Sequence, residues 1–193
     1  MIPTIKISTK YTVGNWISIR KSLCKNPSDG DWEQAIKVFS DRIDERFMNP
    51  ISTLLGDKAG AGFTVMAIIC LLIEHLQSFY VGYVGTNSSE YLIKSFLSKQ
   101  PVFKGSFNQI LAKDFYKNVR CALLHDACTK KGWIIQARES KVLFEERNEK
   151  YIINRNAFYY QLKYWLEDYK SELRKDKALQ RCFIKKMDSI CEL

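Results

Sequence analysis

The sequence predicts a mainly α fold. We expect a helical bundle with a small antiparallel β-hairpin or three-strand flap inserted before the last long helix. Three observations lead there. Apolar residues recur at spacings of three and four through most of the chain, which is the helical period. Between residues 129 and 154 that period gives way to short apolar runs, Trp133-Ile134-Ile135, Val142-Leu143-Phe144 and Tyr151-Ile152-Ile153, separated by polar turns. Only nine glycines and four prolines punctuate 193 residues, so long structureless segments are not expected.

One domain of 1–193 is expected. It divides into an N-terminal arm and short helix (1–30), core helices (31–128), the β insertion (129–154) and a C-terminal helical region (155–193). Near the start, Asn15 is a candidate cap for a helix carrying Trp16, Ile19 and Leu23. Lys6, Lys10, Arg20, Lys21 and Lys25 precede any acid there, which suits either a solvated face or an arm that touches RNA. Asn26-Pro27-Ser28-Asp29-Gly30 is a turn. Asp29 or Asp31 then caps a helix whose buried stripe is Trp32, Ile36, Phe39, Ile43 and Phe47; Pro50 should end it, with a further short turn of helix open at Ile51 to Leu55.

The loop from Gly56 to Gly62 lacks the Gly-Lys-Ser/Thr ending of a phosphate-binding loop, so no nucleotide role is assigned to it. Phe63 to Tyr80 is apolar almost all round and should be the central helix. The chain's longest charge-free run, Ala59 to Ile73, is short of the ~20 residues a membrane span requires, so no membrane association is expected. Glu74 and His75 interrupt this helix. Glu74 either meets a cationic partner, for which Arg120 is the candidate, or stays at the rim, because an unpaired buried carboxylate is costly. Gly85 to Ser89 reads as a loop and cap. A short helix with Tyr91, Ile93, Phe96 and Leu97 follows and ends before Pro101. Phe103 and Phe107 fill gaps.

Phe115 to Asp126 should be a second core helix, packed on Phe115, Val119, Ala122 and Leu123. On an ideal helix Arg120 and His125 project about 140° apart, so they flank that stripe and leave Cys121 and Leu124 outward between them. After the β insertion, Asn154 or Asn156 caps a helix with the apolar set Phe158, Leu162, Trp165, Leu166, Tyr169 and Leu173. It either continues or breaks near Lys175-Asp176-Lys177 into Leu179, Cys182, Phe183, Met187 and Ile190.

Thirty Lys and Arg against twenty-one Asp and Glu give a formal charge of +9. That favours an anionic partner, most commonly nucleic acid. Six cysteines form no CxxC pair, and two histidines complete no zinc pattern. No metal or other cofactor is expected. The N-terminus lacks a signal-like apolar run, and the thiols are expected reduced in a cytoplasmic protein.

The greasy helix, the second core helix bearing Arg120-Cys-Ala-Leu-Leu-His125 and the closing amphipathic helix together resemble the HEPN superfamily. The similarity runs from about residue 40 to 175. It includes Gly62-Phe63, Leu71-Leu72-Ile73-Glu74, Phe115 through His125, Gly132-Trp133 and Ile153-Asn154-Arg155. The resemblance implies a helical bundle that pairs as a homodimer, with RNA as substrate and a metal-independent endoribonuclease activity set by an Arg-x4–6-His motif. It implies catalytic Arg120 and His125, gathered from two protomers into one cleft. Glu74 is a supporting candidate; Lys117, Asn118, Lys130 and Lys131 are candidate RNA contacts. In that chemistry a base takes the 2′-hydroxyl proton and the oxygen attacks the adjacent phosphate, expelling the 5′ oxygen and leaving a 2′,3′-cyclic phosphate and a 5′-hydroxyl. Histidine suits the proton transfer and arginine the phosphorane. The same resemblance suggests a toxin or phage-defence effector, with an antitoxin or defence-system partner protein. Active members often carry a polar residue after the arginine; this chain carries Cys121. A catalytically inactive module that binds RNA, a nucleotide or a protein therefore stands as the alternative.

Overall fold

The computed structural model describes residues 3–56 and 60–193; residues 57–59 of the loop expected at Gly56 to Gly62 lie outside them. The chain is mainly helical, with a three-strand sheet before the long helix Arg155–Leu173. By contacts it groups into two compact units. One holds Met1–Pro50, Ser78–Val84 and Asp168–Leu193; the other holds Ile51–Gln77 and Gly85–Glu167.

In the first unit, α1 (Val13–Leu23) is capped by Thr12 rather than by Asn15. Asn15 returns the favour, its side chain accepting the Thr12 N–H at 2.8 Å. The helix α2 (Asp29–Ile43) starts the same way: Ser28 is the cap, and Asp31 is its reciprocal partner three residues on. Neither Asp29 nor Asp31 occupies the cap position itself. Trp32, Ile36, Phe39 and Ile43 are buried as their spacing requires, but Phe47 is half-exposed and Met48 is buried in its place.

The cause is a π-helical turn, Asp44–Met48, which widens the bonding to i→i+5 and rotates the following residues. Asn49 N–H donates to the Asp44 carbonyl. Pro50 does not end the helix; the chain runs on as α3 (Asn49–Gly56). A proline has no N–H and its ring crowds the carbonyl four residues earlier; a widened turn just before Pro50 avoids that conflict. Arg42 donates to the Ile7 carbonyl at 2.8 Å and Arg46 to the same oxygen at 3.0 Å, pinning the N-terminal segment. Burial pushes the Arg42 guanidinium down to about 10, so it stays charged at neutral pH. The last helix does break: Asp176 caps α9 (Lys177–Ile190), accepting from the N–H groups of Ala178 and Leu179. Trp16, Phe39, Phe79 and Phe183 interlock as the core of this unit, with ring centroids 4.9 to 6.0 Å apart.

In the second unit, α4 (Gly62–Val81) supplies most of its length. By length and composition alone this helix could cross a membrane, yet 56% of its apolar window is buried within the fold. That is the pattern of a core helix. Beside it run α5 (Ser89–Lys99), which stops at Gln100 before Pro101, and α6 (Gln109–Phe115). A second π turn, Tyr116–Cys121, leads from α6 into the short α7 (Ala122–Asp126). A buried polar chain is fully partnered: Trp165 Nε1 donates to Gln100, Gln100 to Gln77, and Gln77 to Ser95. Phe96, Phe103, Phe107, Phe115 and Phe158 fill the space around it.

The flap has strand order β1-β3-β2, with β1 Trp133–Gln136, β2 Phe144–Arg147 and β3 Lys150–Asn154. It is mixed rather than purely antiparallel. The tight turn at Asn148-Glu149 makes β2 and β3 a hairpin, whereas β1 reaches β3 through a longer crossover and lies parallel to it. Asn154 then caps α8 (Arg155–Leu173), accepting from the N–H groups of Asn156 and Ala157. All six expected apolar positions of α8, from Phe158 to Leu173, are buried.

Candidate active site

The π turn that carries Arg120 faces α4 within the second unit. Arg120 Nη2 donates to Glu74 Oε2 at 3.1 Å and lies 3.4 Å from Ser89 Oγ; the Ser89 hydroxyl donates to the other Glu74 oxygen at 2.6 Å. The two charged side chains retain only 15% and 25% of their exposure, so the pair sits well below the surface. Of the two placements open for Glu74, the partnered one is found. The Arg120 guanidinium also lies over the Tyr116 ring, 5.6 Å from its centroid, at a spacing of four residues.

Burial alone would lower the Arg120 pKa, but the Glu74 carboxylate, with Tyr116 and the Cys121 thiol, outweighs it and raises the value. Burial and the bond to Cys121 raise Tyr116. Cys70, fully enclosed nearby on α4, is pushed up to about 12 by burial and is an inert thiol at neutral pH. Ser89 and Tyr116 also line a polar groove of about 550 Å³ with Asn87, Ser88, Glu90 and Lys94.

His125 is exposed at the C-terminal end of α7, where the chain turns through Ala127 in the left-handed region at φ 52°. No hydrogen bond or ion pair joins it to Arg120 or Glu74 within the chain's described residues. Leu124 beside it is 44% exposed and Cys121 is half-buried. Of the face expected between Arg120 and His125, Leu124 and His125 are exposed, whereas Arg120 turns in toward Glu74; the π turn breaks the ideal 100° step from which the face was inferred.

Lys117 and Lys131 are exposed. Lys130 is exposed too, and pairs with Asp126 at 2.7 Å. Asn118 does not belong with them. Its side chain is buried, donating to Asp114 at 2.8 Å, and its carbonyl accepts the Lys130 N–H at 2.9 Å. Asp114 in turn accepts from Trp133 Nε1 at 2.7 Å. Asn118 is a strut that folds the loop bearing Lys130 and Lys131 back onto the π turn, not a surface contact.

Tyr116, Ser89 and Cys121 were not singled out as site residues by the sequence reading. The i, i+4 step from Tyr116 to Arg120 marks the first of them in advance, and Cys121 is marked by its place directly after the motif arginine. No group of three or more His, Cys, Asp and Glu converges to hold a metal ion among the described residues. Comparison with protein-family models, with curated proteins and with solved structures gave no match.

Proposed function

We propose that this chain is a HEPN-type endoribonuclease that needs no metal and acts as a homodimer. The observation that carries the reading is the pairing of Arg120 with Glu74 and Ser89 on the same helical segment that ends in exposed His125. Glu74 and Ser89 hold the guanidinium by its edge; His125 stays open to solvent, as a proton carrier must. Exposed Leu124 gives a second copy an apolar contact, and Lys117, Lys130 and Lys131 supply positive charge for a sugar–phosphate strand. In the dimer, one His125 would take the 2′-hydroxyl proton as that oxygen attacks phosphorus, Arg120 would bind the anionic phosphorane, and the second copy's His125 would give a proton to the 5′ oxygen as its bond to phosphorus breaks. Glu74 is then a positioning residue. A cytoplasmic toxin or defence effector, held in check by a partner protein, is the setting we infer.

The degree to which Arg120 is committed to Glu74 favours one other reading, a binding module without turnover. A single assay separates them. Labelled single-stranded RNA is incubated with the protein in EDTA, and products are analysed for 2′,3′-cyclic phosphate ends. We expect cutting by the wild type, and a loss of about 10²–10⁴-fold for His125→Ala, with a comparable loss for Arg120→Ala. Salt-sensitive binding with no products identifies the silent module instead. Cutting that both variants retain removes the proposed residues from the chemistry.

A further inference from the structure

A groove runs along the outer face of α8. Tyr160 and Tyr164, one helical turn apart, are 54% and 62% exposed, whereas Phe158, Leu162, Trp165 and Leu166 on the same helix are buried. Both tyrosines line a groove of about 470 Å³ whose opposite wall is the loop after β1, with Arg138 and Lys141. Asn156 and Gln161 also line it. The Tyr160 ring is buttressed edge-on by buried Tyr159 at 5.3 Å. Arg138 is held in place by Glu145 at 2.9 Å and by the Gln136 side chain. The Asn156 side-chain oxygen is buried and has no hydrogen-bond partner.

From these residues we infer that the Tyr160–Tyr164 groove is a base-stacking site for a single-stranded polynucleotide. Large rings are left in water only where something covers them or nothing selects against it, and here two of them lie one turn apart in a groove shared with two cations, Tyr160 resting on Tyr159. Aromatic faces accept any base, and the cations answer the backbone. Glu145 neutralises part of Arg138, and Glu139 lies on the same rim. Stacking must therefore outweigh charge at this site, and Lys141 is its main phosphate contact. A duplex, whose bases are already stacked, cannot use the rings.

The test uses the full chain and a fluorescein-labelled 2′-O-methyl oligouridine, which has no free 2′-hydroxyl and cannot be cut by the chemistry proposed above. Binding is thus read whether or not the protein is a nuclease. We expect Tyr160→Ala and Tyr164→Ala each to weaken binding roughly 5- to 150-fold, and the Phe variants to stay within about 2-fold. Oligodeoxythymidine serves as a second arm: because the recognition is of bases and phosphates, its binding with the same tyrosine dependence also supports the site. The wild-type salt dependence should be shallow, the log–log slope about −0.7 to −1.4 for one or two phosphates. Photocrosslinking of a thiouridine oligomer to the unmutated protein should map to the 156–164 segment, which guards against a variant that misfolds. Ala variants that bind as the wild type does overturn the inference, as does displacement by a proline-rich peptide but not by single-stranded nucleic acid.

Discussion

Arg120 and Glu74 form a pair whose two halves are both mostly shielded from water. Such a pair is weak as a source of net stability and strong as a constraint, because removing one member strands the other. Glu74→Ala leaves a guanidinium beside Cys70 and Tyr116 with no anion. We expect it to destabilise the fold by about 1–3 kcal/mol, read from the urea midpoint at constant slope. Glu74→Gln, which keeps the acceptor for Ser89, should cost less. If both variants unfold with the wild type, the carboxylate does not hold Arg120 in solution. The pair was legible in the sequence as far as its logic goes: a carboxylate in the greasiest helix calls for a cation. Ser89 was not, since a serine before a helix is ordinarily its cap. Here Ser88 stands at the cap position with no side-chain bond, and Ser89 is turned toward Glu74 instead.

At the scale of elements, hydrophobic period located nearly every helix and missed both π turns. The reason is geometric. A π turn inserts a residue without changing composition, so Asp44–Met48 shows itself only by displacing burial from Phe47 to Met48. Across Tyr116–Cys121 the expected stripe of Phe115, Val119, Ala122 and Leu123 stays buried, and the turn shows itself only in the added burial of Asn118. The strands were legible as apolar runs, but their pairing was not, because the order β1-β3-β2 depends on which edge of the hairpin β1 joins. The hairpin turn itself makes a sharp prediction. Asn148 and Glu149 both have positive φ, at 51° and 60°, as a two-residue turn of the primed type demands. Asparagine tolerates that region; glutamate is strained there. Glu149→Gly should stabilise by about 0.5–1 kcal/mol after the entropy glycine adds to the unfolded chain. A lower urea midpoint for this variant would show that Glu149 makes a contact worth more than the strain.

Over the whole molecule, the excess of +9 is unevenly answered. Several carboxylates are tied to specific donors, and their pKa values fall as a result. The Ser28 hydroxyl and N–H lower Asp31, Arg174 lowers Glu33, Lys10 and Ser8 lower Asp41, Thr9 lowers Glu45, and Lys130 lowers Asp126. A carboxylate depressed in the folded state binds fewer protons there than in the unfolded chain. Stability therefore rises with pH across the window between the two values. The contribution is fully present above the ordinary values of 3.8 for Asp and 4.5 for Glu, and drains away as pH falls through the lower, folded ones. Protonation also removes negative charge from a chain already rich in cations, so self-repulsion grows in the same direction. Thermal unfolding followed by circular dichroism should give a Tm nearly flat from pH 7 to about pH 5 and falling steadily below pH 4. Added salt should soften the part due to net charge, since that part is screened, and leave most of the part due to direct bonds. A Tm that holds level to pH 3 would mean these donors are as well satisfied by water as by the carboxylates, and that the acidic residues contribute to solubility rather than to the fold.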